Sequence, residues 1–594
     1  MSAATTELMQ VGALPTADGG ARQPGADLWC SYAATRTLHW LGARPDDSDT
    51  VADYLRARQN HDGGFAWQRG LPSDVWASYY CAQTLRDLGE PVPVPHRLAD
   101  WLSSTRTADG GFAMTPGQSA DVWATYYATR LYAEVLGRPV PDRDALAGWL
   151  ARLQTPSGGL GWSPGSRQVD VRAGYYGALA WRAADAGRST PWDTDSLVRW
   201  LQDRQGGDGG FAFGPDAAAC AWAAFRATHA LRALGAGPRD VDGLLGWLDA
   251  RRLPSGGYER WPGYGVADVW ACFSVVGARL AVDRPLPAVG VPATVEAVRA
   301  CQLPGTGFTY RQPDAAGDSL ATAAALLVGA EPERIAGLQA WLRAAQTPYE
   351  GGVMYMPGRG AEVRCTLWAA AALDRTGSGL DSSRLGSWLR GLQNVDGGVG
   401  YWVGRGSDLV STAAAVELAQ TAGCLPAEVL DRGGVLRFLE RCRAADGYAP
   451  VPGGQTTLAA TAQALRVRHA LGVATDPDRA SNPEYATDPD HTSDPDYASE
   501  LLTRWASPLG GYAATPRAVP DLLSTYQAVL TFEQFGRTWD RRHVGRLLHR
   551  LEVGGGYAWS PLSRRPGGAL AGALGGLLAE AVAGDPVPLP RLSL

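Results

Sequence analysis

Lysine does not occur anywhere in the 594 residues, and apart from eight histidines every basic side chain is an arginine. We read this as a compositional bias of the coding sequence, although the planar guanidinium is also the better fork for phosphate oxygens. Cysteine is scarce as well. The eight residues Cys30, Cys81, Cys220, Cys272, Cys301, Cys365, Cys424 and Cys442 form no C-x-x-C pair. Most fall at helix-like positions, where a free thiol behaves as a small apolar side chain, so a reducing, cytoplasmic setting is expected. No run reaches the ~18 uninterrupted apolar residues of a membrane span, and the first residues lack the basic-then-apolar layout of a secretion leader. The net charge of −6 argues against a nucleic-acid partner. P-loop, dinucleotide, H-E-x-x-H and G-x-S-x-G patterns are all missing.

What is abundant is a repeat. Eleven times a Gly-Gly-aromatic turn or a near variant recurs, from Gly63-Gly64-Phe65 and Gly110-Gly111-Phe112 through Gly397-Gly398-Val399 to Gly555-Gly556-Tyr557. Each turn follows an amphipathic segment ending in Trp-Leu-x-x-x-Gln or a near variant, as in Trp149-Leu150 to Gln154 or Trp341-Leu342 to Gln346. Each precedes an Ala-rich segment, and of the twelve such segments eight open on Asp, at Asp27, Asp74, Asp121, Asp170, Asp268, Asp318, Asp408 and Asp521, the others near Cys220, Glu362, Thr456 and Gly567. Apolar residues in both segments recur at three and four, the spacing of helices. Paired glycines suit a sharp helix-to-helix reversal. A fixed period of this size means one helical hairpin repeated. Twelve Ala-rich segments, two sets of six, predict an all-α chain of two six-hairpin (α/α)6 barrels side by side. The expected division is an N-terminal segment 1–26, a first barrel 27–285 and a second barrel 286–594. One outer helix is missing from this count, and part of Met1–Gly20, around Glu7–Val11, is a candidate to fill the gap. Residues 475–500, TDPDRASNPEYATDPDHTSDPDYASE, are an acidic, Pro-punctuated insertion in the second barrel, expected as a surface loop.

Three strings carry a family resemblance. Gln59–Phe65 (QNHDGGF) and Gln205–Phe211 (QGGDGGF) resemble the repeat of squalene cyclases, and Asp121–Tyr126 (DVWATY) is similar to the repeat of protein prenyltransferase β subunits. The resemblance covers nearly the whole chain. It implies the side-by-side barrels of class II terpene cyclases and squalene-hopene cyclases. It also implies a dry cavity in which a linear isoprenoid, such as geranylgeranyl diphosphate, is folded and protonated. Aromatic faces would then stabilise each cation by ~0.5–2 kcal/mol, and the chain holds 22 Trp and 21 Tyr.

In those cyclases Asp-x-Asp-Asp-Thr-Ala opens an inner helix and its middle Asp gives the proton. Here the matching stretch is Asp318-Ser319-Leu320-Ala321-Thr322-Ala323, with Leu320 at the donor position. Asp318 repeats a register in which Asp is a preferred helix cap. Asp314 lies outside that register, so Asp314 paired with Asp318 is the expected replacement acid, followed by Glu362. Tyr310, Arg311, Arg359, Arg364, Tyr401, Trp402 and Arg405 are the expected substrate-binding residues, with the arginines on turns of the second barrel. The zinc site of the prenyltransferases needs Asp-x-Cys and a His. Asp268–Cys272 and Glu362–Cys365 place the Cys late, and no His stands at the required position, so no metal site is expected. No cofactor is expected for the chemistry, although a diphosphate substrate would bring Mg2+. The expected partners are a small-molecule isoprenoid and peripheral membrane contact, with oligomeric state open. The alternatives are a non-catalytic isoprenoid-binding or scaffold protein and, behind it, a zinc-dependent prenyltransferase.

Overall fold

The computed structural model describes residues 13–16, 19–22, 26–67, 73–166, 169–184, 189–214, 218–263, 265, 267–312, 317–328, 330, 332–347, 350–356, 360–403, 406–473, 495–516, 518–563, 566–584 and 587–593. The chain divides into two compact units, Gly25–Asp314 and a second made of Met1–Pro24 with Ala315–Leu594.

In the first unit six inner helices form a closed ring. They are α1 (Leu28–Trp40), α3 (Val75–Leu88), α5 (Val122–Arg130), α7 (Val171–Ala184), α9 (Ala221–Ala233) and α11 (Val269–Ala281). Each packs on the next, and α11 packs back on α1. Between them run the outer helices α2 (Ser48–Arg56), α4 (Pro95–Ser104), α6 (Arg143–Ala151), α8 (Thr194–Gln202), α10 (Val241–Asp249) and α12 (Val291–Arg299). The second unit closes a ring from α13 (Ser319–Leu327), α15 (Val363–Arg375), α17 (Leu409–Thr421), α19 (Leu458–Ala470), α21 (Leu522–Gln534) and α23 (Ala569–Ala583). Its outer helices among the described residues are α14 (Pro332–Ala344), α16 (Ser382–Leu392), α18 (Arg432–Cys442), α20 (Pro495–Thr503) and α22 (Arg541–Leu551). Inner helices are buried nearly all round. Outer ones bury a stripe, as Val544, Leu547, Leu548 and Leu551 do on α22.

The repeat explains itself at atomic level. The turn Asn394–Val399 is held by its own backbone bonds, and Gln393 staples it to the following outer helix. Gln393 Nε2 donates to the carbonyls of Gly397 and Asp431, and Asp431 N donates back to Gln393 Oε1. Gln59, Gln154, Gln205 and Gln346 do the same at their turns. The first glycine of the turn lies against the backbone of the next outer helix, and the second against a large ring, Phe438 in this copy and Trp101 at Gly64. That is why Gly-Gly and Trp-Leu travel together. The residue after the glycines donates its amide to a hydroxyl thirteen positions on, as Val399 does to Thr412 and Phe112 does to Thr125. The Ser or Thr four residues after the opening Asp is therefore structural.

Two expectations need correction. The division does not fall at 285/286. Helix α12 packs on α1, and Asp27 N donates to the carbonyl of Phe308, so the described residues up to Gln312 belong with the first ring. The matching position in the second ring is filled by a twelfth turn at the start of the chain. Leu14–Pro15 pairs with Ala21–Arg22, Asp318 N donates to Ala21 O, and Ala21 N donates to Thr322 Oγ1 at 3.0 Å. The repeat just before each ring's first inner helix thus serves the other ring. Asp18-Gly19-Gly20 carries the same string as Asp62, Asp109, Asp208 and Asp396 with their glycines, so the signal was present. Glu7–Val11 lie outside the described residues, as do 475–494 of the acidic insertion. Residues 495–500 are not loop but open α20, because Ala498, Leu501 and Leu502 give it an apolar stripe.

Candidate functional site

Inner helices begin together at one rim of each ring, and their first residues decide what the rim can do. In the first ring the second helical residues are Trp29, Trp76, Trp123, Arg172, Trp222 and Trp270. Trp29 stacks on Trp270 at 4.6 Å and meets Trp222, from a non-neighbouring helix, at 5.5 Å. A layer of Tyr32, Tyr79, Tyr80, Tyr126, Tyr127 and Tyr175 lies on the same helices, with Tyr32 stacked on Tyr80 at 4.2 Å. These rings line the interior of the first barrel, and Trp29 with Trp222 and Tyr80 with Trp270 reach past the intervening helix.

Asp268 sits in this aromatic packing at 1% exposure and caps α11 through Ala271 N at 2.6 Å. Burial raises its carboxyl to about 6, while the cap bond, Tyr310, Arg260 and Arg311 act the other way. A carboxyl raised on folding contributes stability that is present below its unfolded pKa and lost as pH rises through the folded one. Between pH ~4 and ~6.5 this residue should therefore cost about 2–3 kcal/mol. Asp268→Asn, which keeps a capping side chain, should flatten that part of the curve in chemical denaturation against pH. An unchanged slope would place the titration elsewhere.

Tyr310 and Arg311 belong to this neighbourhood, not to the second barrel. Tyr310 stacks on Trp29 at 5.7 Å, and its carbonyl receives the first amide of α11. Asp314, Arg359 and Arg405 lie outside the described residues.

In the second ring the caps are Asp318, Glu362, Asp408, Thr457, Asp521 and Gly568. Asp318 Oδ1 accepts from Ala321 N at 2.7 Å, and Asp408 and Asp521 behave alike. Glu362 makes no capping bond. Its extra methylene carries the carboxylate past the first turn, and its Oε2 accepts instead from Tyr401 Oη at 2.5 Å and Cys365 Sγ at 3.3 Å. Glu362 is 1% exposed. Burial, then the Glu362 charge, pushes the Tyr401 phenol well up, so it stays a donor. The guanidinium of Arg364 lies 4.3 Å over the Tyr401 ring, and Trp402 flanks it at 5.2 Å. Of the expected site residues, the structure brings together Glu362, Arg364, Tyr401 and Trp402. Asp318 is placed in a capping role. The second residues around this rim are Leu320, Arg364, Val410, Ala459, Leu523 and Leu570, apolar but for one. Tyr401 arrives through the turn of the following repeat, whose carbonyl receives Val363 N at 3.0 Å. The same pairing recurs along the chain, as Val75 N with Met114 O and Val122 N with Trp162 O, so the repeat itself sets it.

Among the described residues no group of three His, Cys, Asp or Glu side chains converges as a metal site, and no helix is long and apolar enough to cross a membrane.

Comparison with known proteins follows the same lines. The profile of the prenyltransferase alpha-alpha toroid domain matches residues 8–74, 68–260, 218–394, 361–488 and 484–558. Among solved structures, the chain is similar to an ent-copalyl diphosphate synthase from Streptomyces platensis at 18% identity, covering 83% of this chain and 100% of that one, with a TM-score of 0.36. Protein geranylgeranyltransferase-I of Candida albicans, complexed with GGPP, matches at 11% identity over 46% of this chain and 91% of that one, with a TM-score of 0.37. The D109A variant of the type II terpene cyclase MstE from Scytonema, in complex with merosterolic acid A, matches at 15% identity over 48% of this chain and 99% of that one, with a TM-score of 0.31. No curated protein matches the sequence. With its repeated turn, its two closed rings of helices and a family profile spanning nearly its full length, the chain belongs to the prenyltransferase alpha-alpha toroid domain family.

Proposed function

We propose that this protein is a protonation-initiated terpenoid cyclase in which the second toroid receives a linear isoprenoid, with a prenyl diphosphate such as geranylgeranyl diphosphate as the favoured class, and Glu362 serves as the acid. The observation that carries this reading is the position of Glu362. Among the described residues it is the helix-opening acid of the second ring that makes no capping bond, and it is buried beside an apolar rim. The chemistry asks for a carboxylic acid that gives its proton to a terminal alkene carbon. Tyr401 and Cys365 already donate to Oε2, so the carboxylate left behind is stabilised without reorganisation. The proton added is balanced by one lost from the cyclised cation, making the reaction an isomerisation. Tyr401 and Trp402 offer aromatic faces to passing positive charge.

A second reading, an isoprenoid-binding protein without turnover, is favoured by Leu320 at the donor position of the family motif. Incubation with geranylgeranyl diphosphate, squalene and oxidosqualene, with and without Mg2+, followed by mass spectrometry, separates the two. A cyclised product is expected, falling by roughly 10^2-fold or more in Glu362→Gln, with far-ultraviolet dichroism unchanged. Undiminished product in Glu362→Gln would remove the assignment of the acid, and binding without any product would favour the second reading.

A further inference from the structure

Beyond α23 the chain does not run off into solvent. Leu589 is 7% exposed, Leu592 1% and Ser593 fully buried. The segment is held by side chains from inside the second ring. Tyr526 Oη donates to Pro590 O at 2.7 Å, Gln527 Nε2 to Leu592 O at 2.7 Å, and Trp368 Nε1 to Ser593 O at 3.1 Å. Ser593 Oγ donates to Glu417 Oε2 at 2.8 Å, and Leu589 N to Glu533 Oε2 at 3.2 Å. These partners stand on α15, α17 and α21, and α15 and α21 do not adjoin in the ring. A peptide bonded to both lies within it. Trp368 and Gln527 are each the sixth residue of their helix. At 1.5 Å per residue its inner end, Leu592–Ser593, therefore lies roughly 8 Å below the rim, while Leu589, bonded to the twelfth residue Glu533, lies roughly 16 Å below it.

Two features mark it as an occupant and not as part of the wall. Pro588 and Pro590 stiffen it and bring no amide that burial would leave unpaired. Its outer half, Val587–Arg591, borders a cavity of about 360 Å³ lined also by Ala371, Arg375, Thr421, Leu530 and Gln534. Those lining residues stand near the ends of α15, α17 and α21, so the cavity lies at the side of the ring away from the helix starts, and the inner end of the segment stands between it and the rim that holds Glu362.

We propose that residues 587–593 are a built-in stopper that sets the depth of the second toroid's chamber, so that this segment selects the length of apolar chain admitted. The inference rests on the reading of that toroid as an isoprenoid chamber. With the segment gone, the indole of Trp368, the amide of Gln527 and Glu417 Oε2 would open onto a longer channel.

The test compares the full chain with one ending at Pro586, using equilibrium dialysis of geranyl, farnesyl and geranylgeranyl diphosphates. The shortened chain should favour the longest probe over the shortest at least tenfold more than the full chain does, and an added synthetic peptide of residues 587–594 should reverse the change. An unchanged length preference overturns the stopper. Should neither chain bind any prenyl diphosphate, the isoprenoid reading falls. The stopper as an occupant is then judged by the peptide alone: saturable binding to the shortened chain supports it, and no binding overturns it. If the shortened chain does not fold, Leu592→Ala in the full chain should move the same preference about threefold, and no movement counts against the proposal.

Discussion

Arg466→Met should destabilise the second toroid by about 3–5 kcal/mol, whereas Arg466→Met combined with Glu417→Leu should recover most of that loss. The Arg466 and Glu417 side chains are 1% and 2% exposed and 2.8 Å apart. Arg466 also donates to Gln527 Oε1 at 2.6 Å and Thr531 Oγ1 at 2.8 Å, so every part of its fork is matched. Removing only the guanidinium leaves a carboxylate inside a ring of Ala and Leu helices, with Ser593 as its remaining hydroxyl donor. At 2% exposure that charge is shielded from bulk solvent. Removing both charges takes away the Coulomb term and the desolvation cost together, and such exchanges are often neutral. Denaturant titration of the two single variants and the double should give a coupling energy of several kcal/mol. Additive losses would show that the two side chains act independently.

Gly397→Ala should cost about 3–5 kcal/mol or prevent folding, while Gly423→Ala should cost only about 1–2. Both glycines have positive φ, +87° and +72°, so both substitutions share the left-handed backbone penalty. They differ in what a methyl group would meet. At Gly397 a Cβ would lie 2.1 Å from the carbonyl oxygen of Gly434, on the first turn of α18, and backbone cannot step aside as a side chain can. At Gly423 nothing stands within 4 Å. Melting temperatures of the two variants, measured side by side, isolate the contact from the backbone strain. Equal losses would mean that the turn and the outer helix separate more easily than the geometry allows.

The comparison of turns also shows why so much of the fold was legible in the sequence. Gly397 is constrained by Gly434, Gln393 by Asp431 and Val399 by Thr412, all within one repeat length. Interactions that close over a fixed short separation leave a periodic trace, and a periodic trace can be counted. The acids at the helix starts belong to the same class. Asp318 caps Ala321 because Asp at that position can reach the third amide. Glu362 stands out in the string for the same reason, being one methylene too long to do so.

Features that join distant segments left no such trace. Tyr310 and Arg311 precede the second ring's first helix along the chain, yet they pack with Trp29 and Asp268 in the first ring. The turn that completes the second ring lies some three hundred residues before the helix it serves, and residues 589–593 enter that ring after its last helix has ended.

The sequence by itself determined the helical hairpin, its count, the residues that cap and reverse it, and the closure into two rings of six. The hairpin, its caps and its turns follow from hydrogen bonds and apolar contacts between neighbours one repeat apart, and closure into rings was inferred from the count of two times six. Only the tertiary structure decided which turn closes which ring, that Trp29 meets Trp222 past the intervening helix in the first interior, and that a terminal segment lies in the second. Those outcomes depend on which surfaces meet once the rings have closed, and burial of distant side chains in a shared interior is not a periodic property of the chain.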